Sequence, residues 1–235
     1  LKLAYQTILQ NHKAGTDEQI GPFLTSTVPT TYRILLSPYT SHLRHTVPSL
    51  LGLNRQIHAE AGKILYSTYA FAFNTNVEAI VPFLQDLTPV ARSCVRSIGI
   101  TKKALPYTKE FDRAEWISAF SYLSSPQNSI YLTTLKLDVM GGRPATGWEE
   151  VKEIEKSDFE VLRRVGREWG SDGGVDLKWA EQMMAIKGLR NLDIKAQVEH
   201  CPPPRSENMA FFVAFSKSIE QGFSEFVRGE MLLKV

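Results

Sequence analysis

The chain predicts an α/β fold with a mainly parallel, curved sheet backed by helices, and three observations lead there. The triplets Val95-x-x-Ile98-x-Ile100, Leu132-x-x-Leu135-x-Leu137 and Leu189-x-x-Leu192-x-Ile194 share one spacing. Each follows a stretch of helical periodicity, at residues 77–87, 110–123 and 176–186. Helix then strand, three times over, is the pattern of parallel strands joined by crossovers. The third observation is the closing stretch from Glu207 to Lys234, where Met209, Phe212, Val213, Ile219, Phe223, Phe226, Val227 and Met231 predict one long helix, or two broken near Gly222. A helix there covers the open end of a stack that would otherwise expose apolar surface.

The 235 residues, 43% hydrophobic and 22% charged, suit one globular domain spanning residues 1–235 and exclude a disordered or collagen-like chain. A net charge of +2, from 27 basic and 25 acidic residues, gives no field for a polyanion and argues against a nucleic-acid partner. No apolar run is long enough to predict a membrane span. Two cysteines, Cys94 and Cys201, make no disulfide framework, and no Asn-x-Ser/Thr acceptor occurs. Both suit an intracellular protein of the cytoplasm or nucleus.

In chain order, Leu1, Leu3, Ala4, Tyr5, Ile8 and Leu9 run at helical spacing and predict a helix over residues 1–10. Residues 11–30 are rich in turn formers and predict a long loop, followed by a short strand from Tyr32 to Leu36. Ser49 to Tyr66 gives the clearest helix, with Leu50, Leu53, Ile57, Ala61, Ile64 and Leu65 at steps of three and four and Ser49 as cap. Such a one-sided helix must pack. Tyr69, Phe71 and Phe73 then alternate as a strand does, and Val77–Leu87 is the next helix. Within 110–123 the periodic positions are Phe111, Ala114, Ile117, Phe120 and Leu123; within 176–186 they are Leu177, Ala180, Met183, Met184 and Ile186. Residues 140–156 are a loop insertion, opening on Gly141-Gly142 and Pro144 and ending in a charge run. Phe159, Leu162, Val165 and Trp169 mark an extra helix capped by Ser157 or Asp158.

The repeated unit resembles that of leucine-rich repeats, and the triplets start at Val95, Leu132 and Leu189, much farther apart than the ~20–29 residues of a regular repeat. The resemblance implies an irregular leucine-rich-repeat-like stack. A second resemblance lies in Leu50 to Phe73, LLGLNRQIHAEAGKILYSTYAFAF. Leu50-Leu51, Arg55-Gln56-Ile57, Glu60-Ala61, Ile64-Leu65-Tyr66, Phe71 and Phe73, with Val95-Arg96-Ser97-Ile98 after them, are similar to the signature of fungal F-box-like proteins of the two-EXR type. That implies a fungal source, an F-box-like start, of which residues 1–10 would be the tail, and an α/β repeat body without known catalytic residues.

Few residues suggest chemistry. Arg55 and Glu60, five apart and so about 140° apart around a helix, are read as structural anchors of neighbouring loops or helix ends. His42 and His45 have metal-ligand spacing but no companions, and zinc takes three or four protein ligands. Gly141-Gly142 lacks the phosphate-loop patterns and is read as a flexible loop. His200-Cys201 has no general base near it in sequence, and Cys94, opening an apolar strand, is read as buried. Glu149, Glu150, Lys152, Glu153, Glu155 and Lys156 read as a solvated helical face. Trp148 stands in a polar insertion with no periodic reason to be there, so it either caps the body or serves as an interaction residue. Arg143 beside it and Tyr107, in KKALPYTK, are further interaction candidates. No catalytic, metal or cofactor-binding set emerges. The expected function is non-catalytic recognition of a protein partner, as the substrate-binding part of an F-box-like ubiquitin-ligase adaptor. The alternatives are an enzyme with its site at the carboxyl ends of the parallel strands, near the loops after Thr101, Val139 and Val198, and a scaffold subunit of a larger assembly.

Overall fold

The computed structural model describes residues 2–8, 31–36, 43–104, 110–169 and 177–233. Among the described residues six strands form one sheet: β1 (Lys2–Ile8), β2 (Thr31–Leu36), β3 (Ala70–Asn74), β4 (Ser97–Lys103), β5 (Thr134–Pro144) and β6 (Asn191–Cys201), in the order β2-β1-β3-β4-β5-β6. Only β2 runs antiparallel to its neighbour; the other pairs are parallel. The three triplets come into register as the spacing predicts. Ile98 pairs with Leu135 and Leu135 with Leu192, while Ile100 pairs with Leu137 and Leu137 with Ile194. All nine triplet residues are buried. Each large aliphatic so placed is worth roughly 1.5–3 kcal/mol relative to exposure.

The helices are α1 (Leu43–Leu51), α2 (Arg55–Thr68), α3 (Ile80–Asp86), α4 (Pro89–Cys94), α5 (Glu110–Ser124), α6 (Lys156–Trp169), α7 (Lys178–Met183), α8 (Glu207–Ser218) and α9 (Ser224–Met231). One sheet face is buried with them: Phe71, Phe73, Ile98, Ile100, Leu135, Leu137, Val139, Leu192 and Ile194 share a hydrophobic cluster with Phe83, Phe120, Phe215 and Phe223. The alternate residues from β3 to β6 are half-exposed or exposed along most of each strand. On that face Lys136 pairs in register with Asp193 and Asp138 with Lys195. Opposite charges side by side stabilise adjacent strands.

The terminal helix is continuous but changes pitch. Ser206 Oγ accepts from Met209 N at 3.3 Å and starts α8, and a π turn over Ile219–Phe223, containing Gly222, joins α8 to α9. It lies on β5 and β6 and supplies most of an aromatic cluster. Phe159 of α6 stands 6.1 Å from Phe215, 5.6 Å from Phe223 and 5.8 Å from Phe226, and Trp179 of α7 stands 5.5 Å from Phe223.

Several expectations are corrected. Residues 2–8 form a strand rather than a helix: Leu3, Tyr5 and Thr7 also alternate, and pairing with β2 and β3 decides between two patterns that both fit. The single helix over Ser49–Tyr66 is two helices. The chain turns at Gly52-Leu53, and Asn54, not Ser49, caps α2 by accepting from Ile57 N at 2.9 Å. Ser49 Oγ instead donates to His45 O at 2.7 Å within α1. Among the described side chains of α5, which leave out Phe111, the buried ones are Trp116, Ala119, Phe120 and Leu123, while Ile117 is exposed, because Trp116 stacks on Phe120 and meets Trp179.

The insertion starts later than residue 140. Gly141 and Gly142 belong to β5, not to a flexible loop, and α8 lies directly on them. A Cβ on Gly141 would be 2.7 Å from Ser216 Cβ, and one on Gly142 would be 2.5 Å from Phe212 Cε1. Gly142 N donates to Ser216 Oγ at 2.9 Å. Glu149 to Glu155 is not helical. At the start of α6, Asp158 is not the cap but reaches back, its Oδ2 accepting from Glu155 N at 3.1 Å. Cys94 ends α4 and is half-buried rather than buried. The 11–30 loop, Tyr107 and His42 lie outside the described residues.

Ion pairs join α6, α7 and α9. Arg163 Nε meets Glu181 Oε1 at 3.2 Å and Arg163 Nη1 meets Glu230 Oε1 at 3.5 Å, while Lys187 Nζ donates to Glu230 Oε2 at 3.1 Å. The Lys187 hydrogen bond, helped by the Lys187 and Arg163 charges, holds the Glu230 carboxyl below its ordinary value of 4.5 against partial burial, which pushes it up. A carboxylate with a lowered folded pKa stabilises fully above its ordinary value and loses that contribution as pH falls through the folded one. Thermal melts of wild type and Glu230→Gln should therefore differ most near neutral pH and converge below about 4.5. A gap that stays constant from pH 7 to pH 3 would contradict this.

Candidate functional site

Helices α1 and α2 pack on each other, and α2 packs on α4. Yet α2 is lightly anchored: of its residues only Gly62 and Leu65 are buried. Tyr66 stacks on Phe71 at 5.7 Å and ties the helix to β3, and burial pushes its hydroxyl pKa up. Ile57 and Ala61 are half-buried, and three residues of the stripe stay open. Leu53 is 63% exposed, Ile64 62% and Leu50 40%. Between the helices runs a shallow apolar groove of about 150 Å³, lined by Val47, Leu50, Leu51, Ala61, Ile64 and Tyr69 among others. The periodicity of Ser49–Tyr66 correctly marks an apolar face, but the protein leaves much of that face uncovered. Nothing in the residue pattern separates a face packed within the chain from one left for a partner.

Arg55 and Glu60 are exposed at this helix pair. Glu60 Oε1 accepts from Gln56 Nε2 at 3.0 Å, and among the described residues Arg55 makes no side-chain hydrogen bond or ion pair. The anchoring role expected of the two has no counterpart in those contacts. His45 is exposed on α1, and His58 Nδ1 is 2.9 Å from Leu51 O, closing the turn between the helices.

Arg143 and Trp148 come together at the carboxyl end of β5. Trp148 is half-buried against the core with the Arg143 guanidinium 5.3 Å from its ring centroid, and Glu149 Oε1 lies 3.9 Å from Arg143 Nη2. The segment beyond is tied down by the end of α8. Lys217 Nζ donates to Val151 O at 2.9 Å, and Ile154 N donates to Ser218 Oγ at 2.7 Å. So Trp148 folds back onto the body, and the cation and the indole edge form a compact surface feature.

No family model, curated protein or solved structure matches this chain.

The strand ends hold one residue that the sequence does not single out. Lys102, near the carboxyl end of β4, is 4% exposed, with its Nζ 4.7 Å from the Trp116 ring centroid and 5.9 Å from that of Trp179. The alternation Ile98, Ile100, Lys102 was the available signal, since it puts the lysine stem on the buried face. His200 and Cys201 are consecutive in β6, so their side chains point to opposite faces and cannot form a dyad; His200 is exposed and Cys201 buried. Burial pushes the Cys201 thiol pKa up, the opposite of what activates a nucleophile. Among the described residues no group of three or more His, Cys, Asp or Glu could hold a metal ion, and no helix is long and apolar enough to cross a membrane.

Proposed function

We propose that this chain is a non-catalytic protein-recognition module, acting inside the cell as the substrate-binding part of an F-box-like ubiquitin-ligase adaptor. The uncovered apolar stripe of the α1–α2 pair carries the reading. Leu50 and Ile64 line a groove floored by more apolar side chains, Leu53 stands exposed in the turn between the two helices, and contiguous exposed apolar surface marks sites of protein contact. The stripe falls within Leu50–Phe73, the segment that resembles the F-box-like signature. The partner it suits presents apolar side chains of its own, whose burial supplies affinity while exposed residues such as Arg55, Glu60 and His45 form a polar rim. The Arg143–Trp148 stack adds a second surface built from residue types enriched at binding hot spots.

The double variant Leu53→Asp/Ile64→Asp tests this. Both residues are exposed, so the variant should melt close to wild type, while recovery of a stoichiometric protein partner from fungal extract falls about tenfold or more. Equal recovery by the variant and wild type would overturn the assignment of this stripe.

A further inference from the structure

Strand β6 ends the sheet, and among the described residues it pairs on one side only, with β5. Asn191 N donates to Thr133 O at 3.0 Å, so the odd-numbered peptide groups of β6 face β5 and the even-numbered ones, from Leu192 to His200, face outward. The terminal helix takes two of these outward groups. Leu192 O accepts from Arg228 Nε at 3.2 Å and Nη2 at 3.1 Å, and Ala196 N donates to Glu220 Oε1 at 3.0 Å. Beyond that, Gln197 to His200 are exposed, and no described residue bonds the outward peptide groups of Val198 and His200. An open edge of this kind accepts another strand.

Charge along the edge names the occupant. In an antiparallel pair, only residues whose peptide groups face each other exchange hydrogen bonds, so even-numbered positions must meet even-numbered ones. A two-fold register centred on Gln197 sets Ala196 against Val198 of the partner subunit and Ile194 against His200 of the partner subunit. On the half-exposed face it sets Lys195 directly opposite Glu199 of the partner subunit, twice by symmetry. Both neighbouring registers are worse. Centring on Ala196 opposes Asp193 with Glu199, two like charges, and centring on Val198 brings Ile194 against Pro202, which has no N–H to give.

We infer that two copies of this chain join β6 edge to β6 edge, antiparallel about Gln197, extending the sheet across both subunits. The exposed Glu220 side chain gives up Ala196 N–H to the Val198 carbonyl of the partner subunit, and Pro202 ends the ladder. The inference is independent of the adaptor reading, because it uses a different element and a different face.

Size-exclusion chromatography with light scattering, on the 235-residue chain over a concentration series, is the test. Wild type should pass from the monomer mass to twice that mass as concentration rises. Lys195→Glu, which puts Glu opposite Glu, should weaken association about tenfold, and Glu199→Lys should do the same. The double swap Lys195→Glu/Glu199→Lys should restore it. Circular dichroism of each variant separates lost pairing from lost folding. A wild-type chain that stays monomeric through about 100 μM, an association insensitive to Lys195→Glu, or a swap that fails to restore it would each overturn the edge pairing.

Discussion

Gly222→Ala is expected to lower stability by about 3 kcal/mol or more, a fall in melting temperature of roughly 6–12 °C for a chain of this size. The added methyl would land on the carbonyl oxygen of Ile154, with the Glu155 carbonyl carbon 3.1 Å away. Both obstacles are backbone. Neither can rotate aside, and Ile154 is further fixed because its N–H donates to Ser218 Oγ. Gly142→Ala offers the comparison. Its methyl would meet the Phe212 ring edge and Cys201 Sγ, which are side-chain rather than backbone atoms, so it should cost less. Calorimetric melts of both variants decide the matter. Gly222→Ala melting as wild type does, or above Gly142→Ala, would show that the π turn does not lie against the Ile154 backbone as described.

Phe159→Ala should cost about 3–5 kcal/mol, the range for deleting a fully buried phenyl ring. Among the described side chains of α6, Phe159 is the fully buried one, with Phe215, Phe223 and Phe226 around it. Among the described side chains, α6 is otherwise attached by the half-buried Leu162 and by Arg163, whose pairing with Glu181 and Glu230 is partly exposed and individually weak. Beyond a lower denaturation midpoint, the variant should thus lose hydrogen-exchange protection in α6 before the rest of the protein. Uniform loss across all helices would argue that α6 is bound to the fold by more than this ring.

The sheet was legible in the sequence because its signal is local and repeated. An apolar residue at every second position over a short run, preceded each time by a helix, fixes both the state of the segment and which side chains face inward. Ile98, Leu135 and Leu192 could be aligned before any contact was known. What stayed hidden depended on distant partners. Residues 2–8 fit two periods, and strands β2 and β3, far along the chain, choose between them. Gly141 and Gly142 look like a hinge until α8 is laid across them. The break at Gly52 to Asn54 is a local capping event that apolar periodicity passes over. For the candidate site, the apolar stripe of Leu50, Leu53 and Ile64 was visible, but its exposure was not. Pairing of Arg143 with Trp148 needed the course of the segment between them.

The terminal helix also has a consequence for how the protein is made. Phe212, Phe215, Phe223 and Phe226 leave the ribosome after every strand of the sheet has been synthesised, and they lie against Gly142, Phe159 and Trp179. Until they arrive, the nascent chain presents much of those surfaces to water. Translation pausing or truncation before residue 207 therefore leaves a sticky intermediate, one that chaperones must hold or proteases must clear.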